Sequence, residues 1–304
     1  MKILRTPDEC FANLPDWPFE PQYITITDAD GTNIRVHHID EGPRDAEPIL
    51  LMHGNPTWSY LYRKMIPGLL ETGRRVIAVD LVGLGRSDKP AKRKYYSHAR
   101  HIDWMSEWLN AMALKNITLF CQDWGGAIGL HLVARYPERF DRVVVSNTGL
   151  SDGAQVTKAV RVWQWGMKFL PSFPLRVAIK SAIQCPEFSE DELKAYLAPY
   201  PSRKYEAAIL AFPQLIQTHP GMPGVEENIK AIEVLSRFEK PFLTLFGTRD
   251  PITRGGDEAI WELVPGAKGL AHQQLSGAGH FTQEDKPEEL VEAITQLLQV
   301  SSTT

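Results

Sequence analysis

Apolar residues along this chain fall into two alternating patterns. Short continuous apolar runs at 48–52, 75–79, 117–120, 142–145 and 242–246 have the composition of strands covered on both faces of a sheet. Between them apolar positions recur at helical spacing. Ile102, Met105, Leu109 and Met112 share one face of a helix predicted over 98–112, and 225–236, 257–263 and 287–298 read the same way. The last of these opens with proline and acids, as helix N-termini prefer. Residues 23–27 and 34–40 alternate around the turn Asp28-Ala29-Asp30-Gly31 and predict paired strands, and 269–275 is a further candidate strand.

The alternation breaks after Asn147. Residues 152–224 are aromatic, punctuated by proline and short of β-runs, which predicts a helical insert in which Trp163, Trp165, Phe169, Phe173 and Phe188 form a small core. The expected division is a core of 1–151 and 225–304 with a helical cap of 152–224 inserted after the sixth core strand. Strands alternating with helices imply a mostly parallel central sheet with helices on both faces. An insert at that point sits over the carboxyl ends of the strands, where such sheets bind ligands.

Composition removes several classes of function. Hydrophobic residues make up 43% and charged residues 23%, and the formal net charge of −4 gives no reason to expect nucleic acid or an anionic membrane as partner. The three cysteines are too few and too scattered for a disulfide framework or a zinc site, which fits a reducing compartment. No signal-like run opens the chain, and no stretch approaches the ~20 apolar residues of a membrane span, so a cytoplasmic monomer is expected. Gly83-x-Gly85 lacks the third glycine and the immediate helix of a dinucleotide site. His98 and His101 are spaced like helical metal ligands, but no third ligand is evident, and a solvated helix face is expected.

The chemistry concentrates at Cys121-Gln122-Asp123-Trp124-Gly125-Gly126, between the strand at 117–120 and a helical pattern that ends before Pro137. Small residues flank Asp123 in the layout of a nucleophile elbow, a sharp strand-to-helix turn that exposes one side chain above a sheet. A carboxylate there suits a saturated carbon bearing a leaving group. Displacement leaves an alkyl ester, whose carbonyl water can attack to restore the enzyme. Asp250, in Phe246-Gly247-Thr248-Arg249-Asp250-Pro251, and His280, in Ser276-Gly277-Ala278-Gly279-His280-Phe281, each follow a predicted strand. Their order after Asp123 is the nucleophile, acid, histidine order of α/β-hydrolases. In that fold the oxyanion donors are backbone N–H groups of the residue after the nucleophile, Trp124, and of the loop after His53-Gly54, hence Asn55. Indole and amide N–H groups are neutral donors suited to a leaving halide. An epoxide hydrolase would use the same aspartate, with cap tyrosines such as Tyr196, Tyr200 and Tyr205 as acids.

His53 through Arg63, Asp80 through Pro90, Gln122 through Gly126, Gly277 through Phe281 and, in the cap, Ala195 through Pro201 resemble the haloalkane dehalogenases over nearly the whole chain. The resemblance implies an α/β-hydrolase fold and hydrolysis of haloalkanes to alcohol, halide and proton without a cofactor or metal. It also implies Asp123 as nucleophile, His280 as base and Trp124 as one halide donor. Members with the acid after the seventh strand, as Asp250 is, pair it with a cap tryptophan. Counting back from Pro171-Ser172-Phe173-Pro174 favours Trp163 over Trp165 for that role, with Asn55 either a third donor or a structural residue.

Overall fold

The computed structural model describes residues 1–153 and 158–300, and of residues 158–160 and 163 the backbone alone. Among the described residues one sheet contains β1 (Gln22–Thr27), β2 (Asn33–Glu41), β3 (Pro48–Met52), β4 (Arg75–Val79), β5 (Ile117–Gln122), β6 (Phe140–Ser146), β7 (Phe242–Gly247) and β8 (Gln273–Leu275). Their spatial order is β8-β7-β6-β5-β3-β4-β2-β1. The pairs β1–β2 and β2–β4 are antiparallel and the remaining pairs parallel. The chain leaves β3 toward β4 on one side and returns to β5 on the other. The strand order therefore reverses between β3 and β5, the place where open α/β sheets receive ligands. Met52 lies opposite Cys121, so the loops after both strands emerge side by side.

Core helices are α1 (Ile66–Leu70), α2 (His98–Ala111) and α3 (Asp123–Arg135). Between β6 and β7 come α4 (Lys158–Lys168), α5 (Leu175–Ala182), α6 (Glu190–Leu197), α7 (Ala207–Leu215) and α8 (Val225–Leu235). After β7 come α9 (Asp257–Leu263), α10 (Thr282–Asp285) and α11 (Pro287–Leu298). Alternate residues of one strand face opposite layers. Leu50 and Met52 join Trp104, Met105 and Ile128 of α2 and α3, while Ile49 and Leu51 join Leu69, Leu290 and Ile294 of α1 and α11. Each such side chain, fully withdrawn from water, contributes about 1.5–3 kcal/mol.

Two expectations change. The aromatics of the insert do not gather into a core of their own. Trp165 and Phe169 are 66% and 65% exposed and meet edge to face at 5.1 Å, whereas Phe173 packs on the α2 side of the sheet and Phe188 near Tyr196. Trp163 lies on α4, but its side chain is outside the described residues. Helix α7 is buried along most of its length, its Phe212 reaching Trp124 at 5.0 Å, and Ile179 of α5 and Leu193 and Tyr196 of α6 are buried as well.

His98 and His101 are likewise not on a solvated face. Both are buried, His101 stacked on Phe212 at 4.5 Å and His98 edge-on to His131 at 4.9 Å. Burial, and secondarily each one's histidine neighbour, depresses His98 to about 4 and His101 to about 3, so both rings are neutral and pack as flat aromatic bodies. Burial does the same to His38, at about 4, and lowers His53 and His131. Among the described residues no cluster of three or more His, Cys, Asp or Glu is placed to hold a metal ion.

The insert is tied to the core by charge. Arg63, fully buried in the loop after β3, donates to Glu192 of α6 and to both carboxylate oxygens of Glu284 in α10, one of them at 3.0 Å. Lys64 Nζ lies 2.9 Å from Glu284 Oε2, and the Tyr196 hydroxyl of α6 donates to the other oxygen. Ser189 and Glu192 form a capping box that fixes the start of α6. Removing one partner of such a group strands buried charge. Arg63→Met is therefore expected to cost about 3–5 kcal/mol of folding stability. Guanidinium denaturation checks this, with Lys194→Ala, which breaks only an exposed pair with Asp191, expected to leave the midpoint unchanged.

Candidate active site

The backbone turns sharply where β5 becomes α3. Asp123 takes φ 51°, a left-handed conformation that aspartate tolerates better than most residues. Its N–H donates to the Asn147 carbonyl at 3.1 Å, and the Thr148 hydroxyl donates to its carbonyl at 2.7 Å. Close approach by neighbouring chain requires glycine on two sides. A Cβ on Gly54 would lie 2.1 Å from Asp123 Oδ1, and one on Gly125 would lie 2.1 Å from the Met52 carbonyl.

The two carboxylate oxygens of Asp123 have different surroundings. Oδ1 accepts the Asn55 backbone N–H at 2.7 Å. Oδ2 faces His280 Nε2 at 3.4 Å. His280 Nδ1 in turn donates to Asp250 Oδ2 at 3.0 Å. Asp250 is itself fixed by the N–H groups of Ile252 at 2.9 Å and Thr253 at 3.2 Å and by the Thr253 hydroxyl. His280 is held from the insert as well, because its N–H donates to the Ala182 carbonyl of α5 at 2.9 Å.

Electrostatics follow from this placement. Burial pulls the His280 pKa down, but its hydrogen bonds to, and the charges of, Asp123 and Asp250 outweigh that and push it up to about 10. Burial pushes Asp250 up, and its contacts with His280 and Thr253 leave it below the ordinary carboxylate range. The imidazole is thus held in its protonated form.

Asp123 and Trp124 line a cavity with Ala127, Ile216 and Ile252. A carboxylate oxygen at its wall, backed by a histidine and a second acid, can attack a carbon, and the same histidine can deprotonate water. Asp123, Asp250, His280, Trp124 and the Asn55 N–H, each read from the sequence, come together here. Sequence reasoning missed two supporting residues. Asn147 donates to the carbonyls of Gly279 and His280, both at 2.9 Å, and accepts the Gly247 N–H at 2.9 Å, joining the ends of β6 and β7 to the histidine loop. Gln122, fully buried, donates to the His280 carbonyl at 3.0 Å, with its Nε2 3.1 Å from the ring Nε2. Their signal was a polar residue at the end of a buried strand, Gln122, or just past one, Asn147, which burial obliges to find partners.

Residues 47–287 match the family model described as the alpha/beta hydrolase fold. A haloalkane dehalogenase from Psychrobacter cryohalolentis is 48% identical over 98% of this chain and 98% of its own. One from Mycolicibacterium paratuberculosis is 44% identical over 97% of each chain. The solved structure of a haloalkane dehalogenase from Paraglaciecola agarilytica, described as tetrameric, superposes with a TM-score of 0.90 at 33% identity, covering 100% of both chains.

Removing one of the two charges that hold the imidazolium should release its proton. In Asp123→Asn the His280 pKa is expected to fall well below about 10. A raised histidine pKa gives stability that is complete below 6.5 and lost as pH rises through about 10, so the stability gap between wild type and this variant should narrow from neutral pH toward 10. NMR titration of the ring Cε1–H, with denaturation at several pH values, checks both.

Proposed function

The chain belongs to the haloalkane dehalogenases, hydrolases that act on carbon–halogen bonds, and we propose that it turns haloalkanes into alcohols through an ester of Asp123. The observation that carries the assignment is the division of labour within one carboxylate. Oδ1 sits in a backbone donor site while Oδ2 faces His280, so Oδ2 is the attacking oxygen and Oδ1 the future ester carbonyl.

Oδ2 gives an electron pair to the carbon bearing the halogen, and the halogen leaves with the bonding pair. The leaving ion is met by neutral donors: the Trp124 indole, Trp163 of α4, and the Asn55 carboxamide as a third. Trp165 is the weaker candidate, being 66% exposed and set against Phe169. Esterification cancels the charge of Asp123, one of the two that raise His280. The ring then gives up its proton to solvent and becomes a base at the stage that needs one. It takes a proton from water attacking the ester carbon, and the oxyanion forms at Oδ1 against the N–H groups of Asn55 and Trp124. Collapse returns that proton to the alkoxide and leaves Asp123 as the carboxylic acid, whose proton passes to His280 and restores the carboxylate and the imidazolium. The sum is haloalkane plus water giving alcohol, halide and a proton.

An epoxide hydrolase would need acids at the cavity. Tyr196, Tyr200 and Tyr205 do not line it, and the Tyr196 hydroxyl is committed to Glu284. We propose further that 152–224 acts as the cap of a core formed by 1–151 and 225–304, and that the protein is a cytoplasmic monomer. No helix among the described residues is long and apolar enough to cross a membrane. Sedimentation velocity reads the assembly state.

Short brominated and chlorinated alkanes should release halide with the wild type. Epoxide opening without any halide release would overturn the reading. Asp123→Ala should abolish turnover, and His280→Phe should complete one displacement and stop. Mass spectrometry would then find the alkyl group on the peptide bearing Asp123, while multiple turnovers by that variant would remove His280 from its role.

Trp163→Phe tests the halide donor. Loss of one aimed donor typically costs on the order of 3 kcal/mol. Saturable quenching of tryptophan fluorescence by bromide should weaken in this variant and persist in Trp165→Phe. The reverse result would exchange the two assignments.

A further inference from the structure

We propose that Gln122, the residue before the nucleophile, is a positioning residue whose amide favours the unprotonated form of His280 and so sets the pH at which the alkyl-enzyme is hydrolysed. This rests on the reading of His280 as the base for that step.

Gln122 ends β5 with no exposure to solvent, and its Nε2 lies between two atoms of one residue: the His280 carbonyl at 3.0 Å and the ring Nε2 at 3.1 Å. The carbonyl fixes which way the amide faces. Turned over, Gln122 Oε1 would oppose the carbonyl oxygen, two acceptors 3.0 Å apart with no hydrogen between them. With the NH2 group facing His280, one N–H serves the carbonyl and the other is aimed at ring Nε2. The cost is visible, since Gln122 Oε1 is buried without a partner.

Ring Nε2 has a lone pair only when His280 is neutral, because Nδ1 carries the hydrogen donated to Asp250. In the imidazolium an N–H would confront the amide N–H. The charged groups facing the ring are Asp123 from α3 and Asp250 from the loop after β7. Both favour the proton, and Gln122 from β5 opposes it. While Asp123 is charged the carboxylates win. Once it is an ester, Asp250 alone opposes the amide, and the balance moves toward the neutral ring. A hydrogen bond made to one protonation state alone shifts the titration against the other.

The test separates the two chemical steps. With wild type, Gln122→Met (similar shape, no donor) and Gln122→Glu (similar shape, donors replaced by oxygen), quenched-flow mass spectrometry follows formation and decay of the Asp123 ester across pH. Formation should keep its rate in Gln122→Met. The midpoint of the pH profile for decay should rise by about one unit, making hydrolysis about tenfold slower below the midpoint, with a larger rise in Gln122→Glu. A lower plateau with an unmoved midpoint in both variants would reduce Gln122 to scaffolding and overturn the proposal, as would a midpoint that falls. Should Gln122→Met not fold, the Gln122→Glu profile and the NMR titration of His280 in that variant decide alone. Absence of any ester in the wild type would instead remove the reading on which the proposal rests.

Discussion

A carboxylate on left-handed backbone is an expensive thing to hold still. The conformation costs about 1–2 kcal/mol for a residue bearing a Cβ, and the surroundings over-determine it. Asn147 and Thr148, from the end of β6, grip the peptide groups of Asp123 from one side. From the other, the loop after β3 presses so closely that position 54 has no room for a side chain. The parallel register of β3, β5 and β6 brings these ends level. The donor at Asn55 and the anchors at Asn147 are therefore properties of the sheet rather than of flexible loops, as a site built to tolerances of a fraction of an ångström requires.

The histidine side is held differently. The loop carrying His280 is anchored through the Ala182 carbonyl to α5, and Asp285, just beyond it, accepts the N–H groups of Gly279, Gln184 and Cys185, each at 2.7 Å. The adjacent Glu284 closes the buried charge group with Arg63, Lys64 and Tyr196. One end of the insert is thus fastened to the segment that positions His280. At α4 the insert instead shows exposed aromatic surface, so a substitution in α5 or α6 reaches the chemistry through backbone contacts, without touching the cavity.

The strands and the three titratable residues at their ends were legible because a buried strand announces itself by a continuous apolar run, and a parallel α/β sheet collects the ends on one edge. Asp123, Asp250 and His280 needed only that rule and their order. Helix α2 was misread on its polar positions. It is buried widely around its circumference, so a neutral histidine there serves as core, and periodicity cannot distinguish that from a wet face. The insert's aromatics misled for the opposite reason, since a large apolar residue need not be inside. Helix α10 is a single turn, too short for any period. Gln122 was a lone polar residue, and its meaning depends on a partner 158 positions away.

The neutral histidines packed through this core carry a thermodynamic debt to acid. His38, His53, His98, His101 and His131 all have folded values below the ordinary 6.5, so the unfolded chain takes up protons that the folded chain refuses. The contribution of these five rings is therefore lost as pH falls from about 6.5 toward 4, a range in which that of His280, raised instead of lowered, is already complete and changes no further. Every turnover of a haloalkane releases one equivalent of strong acid. In weakly buffered water the catalyst therefore moves its surroundings into the range where these neutral histidines weaken its own fold.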